Sequence, residues 1–356
     1  MTQLSQIYLV MLLITTLSGC TTLGYYSQAV SGHLSLMMST QPVTELLAAP
    51  STPTHLQQKL SVANDAREFA ADRLALPVGD AFSTYTELGR PWVVVNLVAV
   101  PEFSLRAHRW CYPVIGCQSY RGYYQLEKAR KEEQSFIDNG YDTFIGGVTA
   151  YSTLGWFDDP LHTGFTSLSD NRMVALMFHE LAHRVVYIND DTAFNESFAT
   201  AVELEGLRLW LEQRDDREGF RRALARLRQR NQTLRLVKTA SKQLQALYAQ
   251  QDTLPVPELR QRKARIIEQL QDDYGALSEN WEQTGPFGEN PRALNNANLA
   301  LFSQYNQHVP AFRQLLREND TDFTVFYQAV EDLSTQPEES RRQTLRKLGQ
   351  RFHENL

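Results

Sequence analysis

The sequence predicts an α+β protein, predominantly helical, whose landmarks are a small β-sheet, one helix carrying a His-Glu-x-x-His motif and a long antiparallel helical hairpin. Three observations carry this. Apolar residues recur at three- and four-residue spacing over most of the chain. Between Pro91 and Phe157 that period gives way to short β-branched runs punctuated by Pro and Gly. From Leu207 to Trp281 a stretch rich in Arg, Gln, Leu and Ala keeps two apolar seams on either side of one proline-containing break.

The 356 residues, 42% hydrophobic and 21% charged, have a globular composition and suffice for one large domain or two ordinary ones. A net charge of -6 argues against a nucleic-acid partner, because phosphate binding needs a basic footprint.

Taken in order, the N-terminus comes first. The apolar run "IYLVMLLITTL", Ile7 to Leu17, is too short for a membrane span of roughly 20 residues but has the length of a signal peptide's apolar region. Leu17, Ser18, Gly19 and Cys20 then resemble the bacterial lipobox, although no Lys or Arg precedes the run. That resemblance implies a signal peptide over residues 1–19, acylation of Cys20 and anchoring to a lipid bilayer. Thr21 in place of Asp resembles lipoproteins sorted to the outer membrane, so the expected location is the cell envelope, facing the periplasm. In such an oxidising compartment Cys111 and Cys117, in "CYPVIGC", are expected to form a disulfide.

Residues 20–90 read as helical, through "LSLMMSTQPVTELLAA" and "PTHLQQKLSVANDAREFAADRLAL", with Pro53 and Pro77 as punctuation. A core segment follows over 91–206. There "PWVVVNLVAV" predicts a buried strand, "QLEKARKEEQSFIDNG" a helix ended by Gly140, and "TFIGGVTAYSTLGWF" one or two strands with Gly146 and Gly147 at a bend or bulge. Residues 207–282 form the hairpin, with one seam through Phe220, Leu224, Leu227, Leu234, Val237, Leu244 and Leu247 and a second through Leu259, Ile266, Leu270, Tyr274, Leu277 and Trp281. Its arginine-rich "REGFRRALARLRQR" reads as a solvated face rather than an anion-binding surface. Residues 283–356 are helical and expected to pack on the core.

The chemistry lies in "MFHELAHRVVYINDDTAFNESFAT". Its first part is a helix without Gly or Pro, with Ser167 and Asp170 offering a capping box. His179 and His183, four residues apart, leave one helix face about a turn apart, the reach that a zinc ion needs. Glu180 stands at the edge of that face, where a carboxylate can deprotonate a metal-activated water. A catalytic zinc takes three protein ligands and keeps one open position. Glu196 is the expected third ligand: the first helix should run a turn past His183, break near Asn189 to Asp191, and return from Thr192. Glu203, on the same face seven residues later, competes for that role and is placed behind it, orienting a histidine Nδ1. The rival readings are an amphipathic helix with two satisfied histidines and a purely structural zinc.

"FHELAHRVVYINDDTAFNESFATAVELEG", "WCYPVIGCQSYRGYY" and "GYDTFIGGVTAYSTLGWFDDP" resemble a family of predicted zinc aminopeptidases found as bacterial lipoproteins. The resemblance implies a zincin-like metallopeptidase core, one Zn2+ held by His179, His183 and Glu196 in the manner of gluzincins, Glu180 as general base, and a peptide substrate. The interval from His183 to Glu196 is shorter than in the best-known gluzincins.

Removing single N-terminal residues also requires an acid to hold the substrate ammonium. Glu203, Asp158 and Asp159 are candidates, each also readable as a cap or turn residue. "GGVTAYSTLGWF" could supply an edge strand to which a peptide adds, or plain core. Tyr151, Tyr305 and His308 are candidates for stabilising the oxyanion. The alternatives are a zinc endopeptidase and a non-catalytic envelope scaffold acting through the hairpin.

Overall fold

The structure, a computed structural model, describes residues 24–353 apart from 33, 91, 113–115, 150–157, 289–290 and 304–307. The expected signal peptide, Cys20, Tyr151, Tyr305 and the second half of the expected 143–157 strand region lie outside the described residues.

Helical turns at 24–32 and 34–38 lead to strand β1 (Gln41–Pro42) and helix α1 (Val43–Ala48). Pro53 caps α2 (Thr54–Leu74), which ends where Ala75 turns left-handed at φ 49°, two residues before Pro77. The helical expectation for residues up to 90 fails after that point. β2 (Thr84–Thr86) pairs with β1 and, in parallel, with a short strand from residues 161–162. Strands of two or three residues are too short to print a period-two pattern, so only their distant partners define them.

β3 (Val94–Pro101) is the centre of the main sheet. After the hairpin of β4 (Trp110–Tyr112) and β5 (Gly116–Gln118), where Cys111 and Cys117 are directly opposed and disulfide-bonded, β6 (Arg121–Tyr123) pairs with one side of β3. Helix α3 (Leu126–Asp138) then crosses one face, and β7 (Tyr141–Val148) pairs antiparallel with the other side of β3. Val95, Leu97 and Ala99 pack toward Ala129 and Phe136 of α3, while Val98 and Val100 pack on Ala297 and Ala300. Burial on both faces explains why β3 reads as a continuous apolar run instead of alternating.

Gly146 and Gly147 are not at a bulge. They pair in unbroken register with Asn96 and Val95. A Cβ on Gly147 would stand 3.2 Å from the Trp92 side chain and one on Gly146 2.7 Å from the Phe144 ring, so the missing side chains make room for aromatic rings on an unbroken ladder.

β8 (Leu161–His162) and α4 (Thr163–Thr166) introduce the core pair, α5 (Asp170–Ala182) and α6 (Thr192–Glu212). The two run antiparallel: His183 lies beside Glu196 and His179 beside Glu203. Further along, Phe178 lies against Gly206, where an added Cβ would meet its ring at 2.9 Å and Leu74 of α2 at 2.7 Å. Glycine here lets α2, α5 and α6 close on one another.

The hairpin consists of α7 (Arg217–Tyr248) and α8 (Val256–Ser278). Val237, Ala240, Leu244 and Leu247 meet Leu259, Ile267 and Leu270, so Ile267 takes the inner place expected for Ile266. Ion pairs of Lys263 with Asp142 (2.7 Å) and Arg260 with Glu102 (2.6 Å) tie α8 to the sheet. Last come α9 (Asn296–Ser303), α10 (Val309–Glu318), α11 (Phe323–Ser334) and α12 (Glu338–Arg351). Phe312 of α10 packs on Phe194 and Phe198 of α6. Beneath them Arg313 and Glu205, 2% and 8% exposed, form a buried ion pair at 2.6 Å. Among the described residues no helix is long and apolar enough to cross a membrane.

Candidate metal centre

His179 and His183 are placed by α5. Its start differs from the expected capping box: Ser169 is the N-cap, Ser167 Oγ donates to Gly164 O within the preceding turn, and Asp170 pairs with Lys59. The helix also stops a turn earlier than expected, at Ala182 with His183 as its C-cap. The cause is tertiary. Arg184 donates to Val78 O (2.9 Å) and pairs with Asp158 (3.5 Å), drawing the chain aside, and Asn195 bonds both the N–H (2.9 Å) and the carbonyl (2.8 Å) of Ile188.

α6 begins at Thr192, as the sequence suggests, capped by Asp191, whose carboxylate accepts from Phe194 N (3.1 Å). Its other oxygen accepts from the buried Arg341 of α12 at 2.6 Å. The cap therefore anchors the C-terminal segment, and Glu196 is held one turn inside a fixed helix start.

The outcome is a cluster. One ligand atom each from His179, His183 and Glu196 lies within 4.8 Å of the others. His179 Nε2 is 3.4 Å and His183 Nε2 3.9 Å from the Glu196 carboxylate. Glu203 receives the opposite nitrogen of His179, Nδ1, at 3.1 Å, which points Nε2 inward. His179, His183 and Glu196, the ligand set expected from the sequence, are the three residues that converge. Two imidazoles and one carboxylate from adjoining helices match the donor set of a four-coordinate site with one position left for water.

The electrostatics fit a bound cation. Burial would lower the His179 pKa, yet hydrogen bonds to Glu196 and Glu203 prevail and hold it well above the usual range. His183 is pushed down to about 4, by burial first and then by His179. Its Nδ1 is buried without a hydrogen-bond partner among the described residues. Burial, with Glu196, Asp159 and Glu203 adding repulsion, raises Glu180 to about 7 against the opposing pull of His179. A proton kept on one ring between two carboxylates is what a divalent ion would displace.

Of the proposed ammonium-holding acids, Glu203 is committed to His179 and Asp158 to Arg184. Asp159 is buried and acts electrostatically on Glu180. His308 precedes α10, donating its backbone N–H to Ser197 Oγ (3.1 Å), and burial lowers its ring to about 4. Sequence reasoning passed over Tyr187, whose ring stands edge-on 6.3 Å from His183. It also passed over a cleft of about 500 Å3 that runs along α5 and α6 from His179, Glu196 and Glu203 and is lined by Arg172, Arg226 and Arg230. The four-residue interval between Arg226 and Arg230 was the available signal, but it carries meaning only once α7 is docked on α6.

A protein-family model described as "Putative aminopeptidase" matches residues 24–345. No curated protein and no solved structure gives a match to the chain.

Proposed function

The chain belongs to this aminopeptidase family, and on that premise we propose that it is a zinc-dependent peptide hydrolase that removes N-terminal residues. The observation that carries the metal assignment is the convergence of His179, His183 and Glu196 within 4.8 Å, with Glu180 next to the first ligand on the same helix. Bound there, zinc would polarise the scissile carbonyl and make a water nucleophilic near neutral pH. Glu180 accepts the proton of the attacking water and returns it to the departing amine, a task that its place beside the first ligand on the same helix allows. Glu203 keeps the His179 ring in one orientation. Tyr151 or Tyr305 would stabilise the developing oxyanion, and an acid among Glu203, Asp158 and Asp159 would hold the substrate ammonium.

β7 is an edge strand among the described residues. Val148 O receives Val93 N and Thr143 O receives the Asn295 side chain, so by alternation the N–H and carbonyl of Ile145 and Gly147 face away from β3. That open edge supports recognition of an extended peptide backbone. Acylation of Cys20 would hold the enzyme on the periplasmic side of the outer membrane.

The test is Glu180→Gln with zinc content and products both measured. Zinc should remain at one ion per chain while turnover falls by orders of magnitude, and wild-type products should differ from substrate by single N-terminal residues. Internal cuts would make it an endopeptidase. Absence of cleavage by the zinc-loaded wild type would leave a binding or scaffold role.

A further inference from the structure

The arginine-rich start of α7 divides between two environments. Arg221 and Arg222 reach back to Glu218 as ordinary surface pairs. Arg226 and Arg230, one turn apart, instead line the cleft that ends at the metal cluster, with Arg172 of α5 across from them. The floor between is apolar, with Leu176, Leu204 and Leu207. Arg230 bears electrostatically on Glu196, so it stands at the metal end, and Arg226, within range of Arg172 and Glu203, stands further out. Among the described residues Arg226 makes no hydrogen bond or ion pair, although it is only partly exposed. Burial first, and then the charge of Arg172, lowers its pKa. A partly buried guanidinium beside a second one, with an apolar floor below and no hydrogen bond to the described residues, can turn its fork of donors to an anion.

We propose that this cleft receives a carboxylate of the peptide substrate on the side that departs as amine, with Arg226 as its principal partner and Arg172 assisting. The inference rests on the peptidase reading above and names the substrate class: short peptides with a free C-terminus, or peptides with an acidic side chain at the equivalent place. The spacing sets the length. Arg172 precedes His179 by seven residues on α5, about 10 Å at ~1.5 Å per residue. An extended peptide covers that in about three residues at ~3.3–3.6 Å each. With Arg172 at the far end, the favoured ligand is at most about a tetrapeptide.

The experiment titrates zinc-loaded Glu180→Gln protein calorimetrically with tetra-alanine, with its C-terminal amide, and with the amide of Ala-Ala-Ala-Glu. Tetra-alanine should bind about tenfold or more tightly than its amide, the worth of a charge-assisted hydrogen bond. A second substitution, Arg226→Gln, should abolish that preference, and Arg226→Lys should restore only part of it, because the charge remains while the fork is lost. If the glutamate-containing amide binds as well as tetra-alanine, a side-chain carboxylate is accepted. If only the free acid binds, the site reads the C-terminus. Equal binding of acid and amide, no binding of either, or a preference that survives Arg226→Gln overturns the proposal. Because the measurement uses a protein that does not turn over, it is separate from the peptidase reading: a wild type that cleaves peptides with no carboxylate preference would refute this inference alone.

Discussion

In the metal-free protein, replacing Glu180 by glutamine should increase stability at pH 8 and change it little at pH 5. Burial raises the folded-state pKa of this carboxyl from 4.5 to about 7. Its proton is therefore held more tightly in the folded chain, so the stability it contributes is complete below about pH 4.5 and is lost as pH rises through 7. At about 1.4 kcal/mol per unit the full rise corresponds to about 3.5 kcal/mol. Glu180 is partly exposed at the site, and solvent screening reduces this to roughly 1.5 kcal/mol. Glutamine cannot ionise and escapes the loss. Urea unfolding of chelator-treated wild type and Glu180→Gln at pH 5, 6, 7 and 8 would show the difference growing across that window. Restoring zinc should flatten it, since a neighbouring dication favours the carboxylate. A difference that is constant with pH, or that favours wild type at pH 8, would refute the claim that this carboxyl is desolvated.

Glu203→Gln keeps the size of the His179 partner but removes its charge, and should weaken zinc binding by roughly 10–100-fold in competition with a chelator. Arg313→Met leaves Glu205 buried with only Arg208 for a partner, and should cost about 3 kcal/mol in urea unfolding. Adding Glu205→Leu to that variant should recover much of the loss, because the uncompensated charge is then gone.

What the sequence determined by itself was local. Two histidines four residues apart share a helix face wherever that helix goes, because backbone hydrogen bonding sets the spacing. Asp191 before Thr192 announces a helix start by the same short-range logic, and Glu196 follows at a fixed distance inside it. β3 was legible because burial on both faces selects a nearly continuous apolar run rich in valine. The rest was decided by segments far apart in the chain. α5 ends at Ala182 because Val78 and Asp158 draw Arg184 away, and neither is visible from the helix text. β1, β2 and β8 exist only through one another, over two or three residues each. The arginines of α7 read alike in sequence, and the burial of Ala223 against the core is what turns Arg226 and Arg230 into the cleft and leaves Arg221 and Arg222 in solvent. Helix spacing is a property of neighbouring peptide bonds, whereas the face a helix presents follows from the apolar area buried over the whole fold.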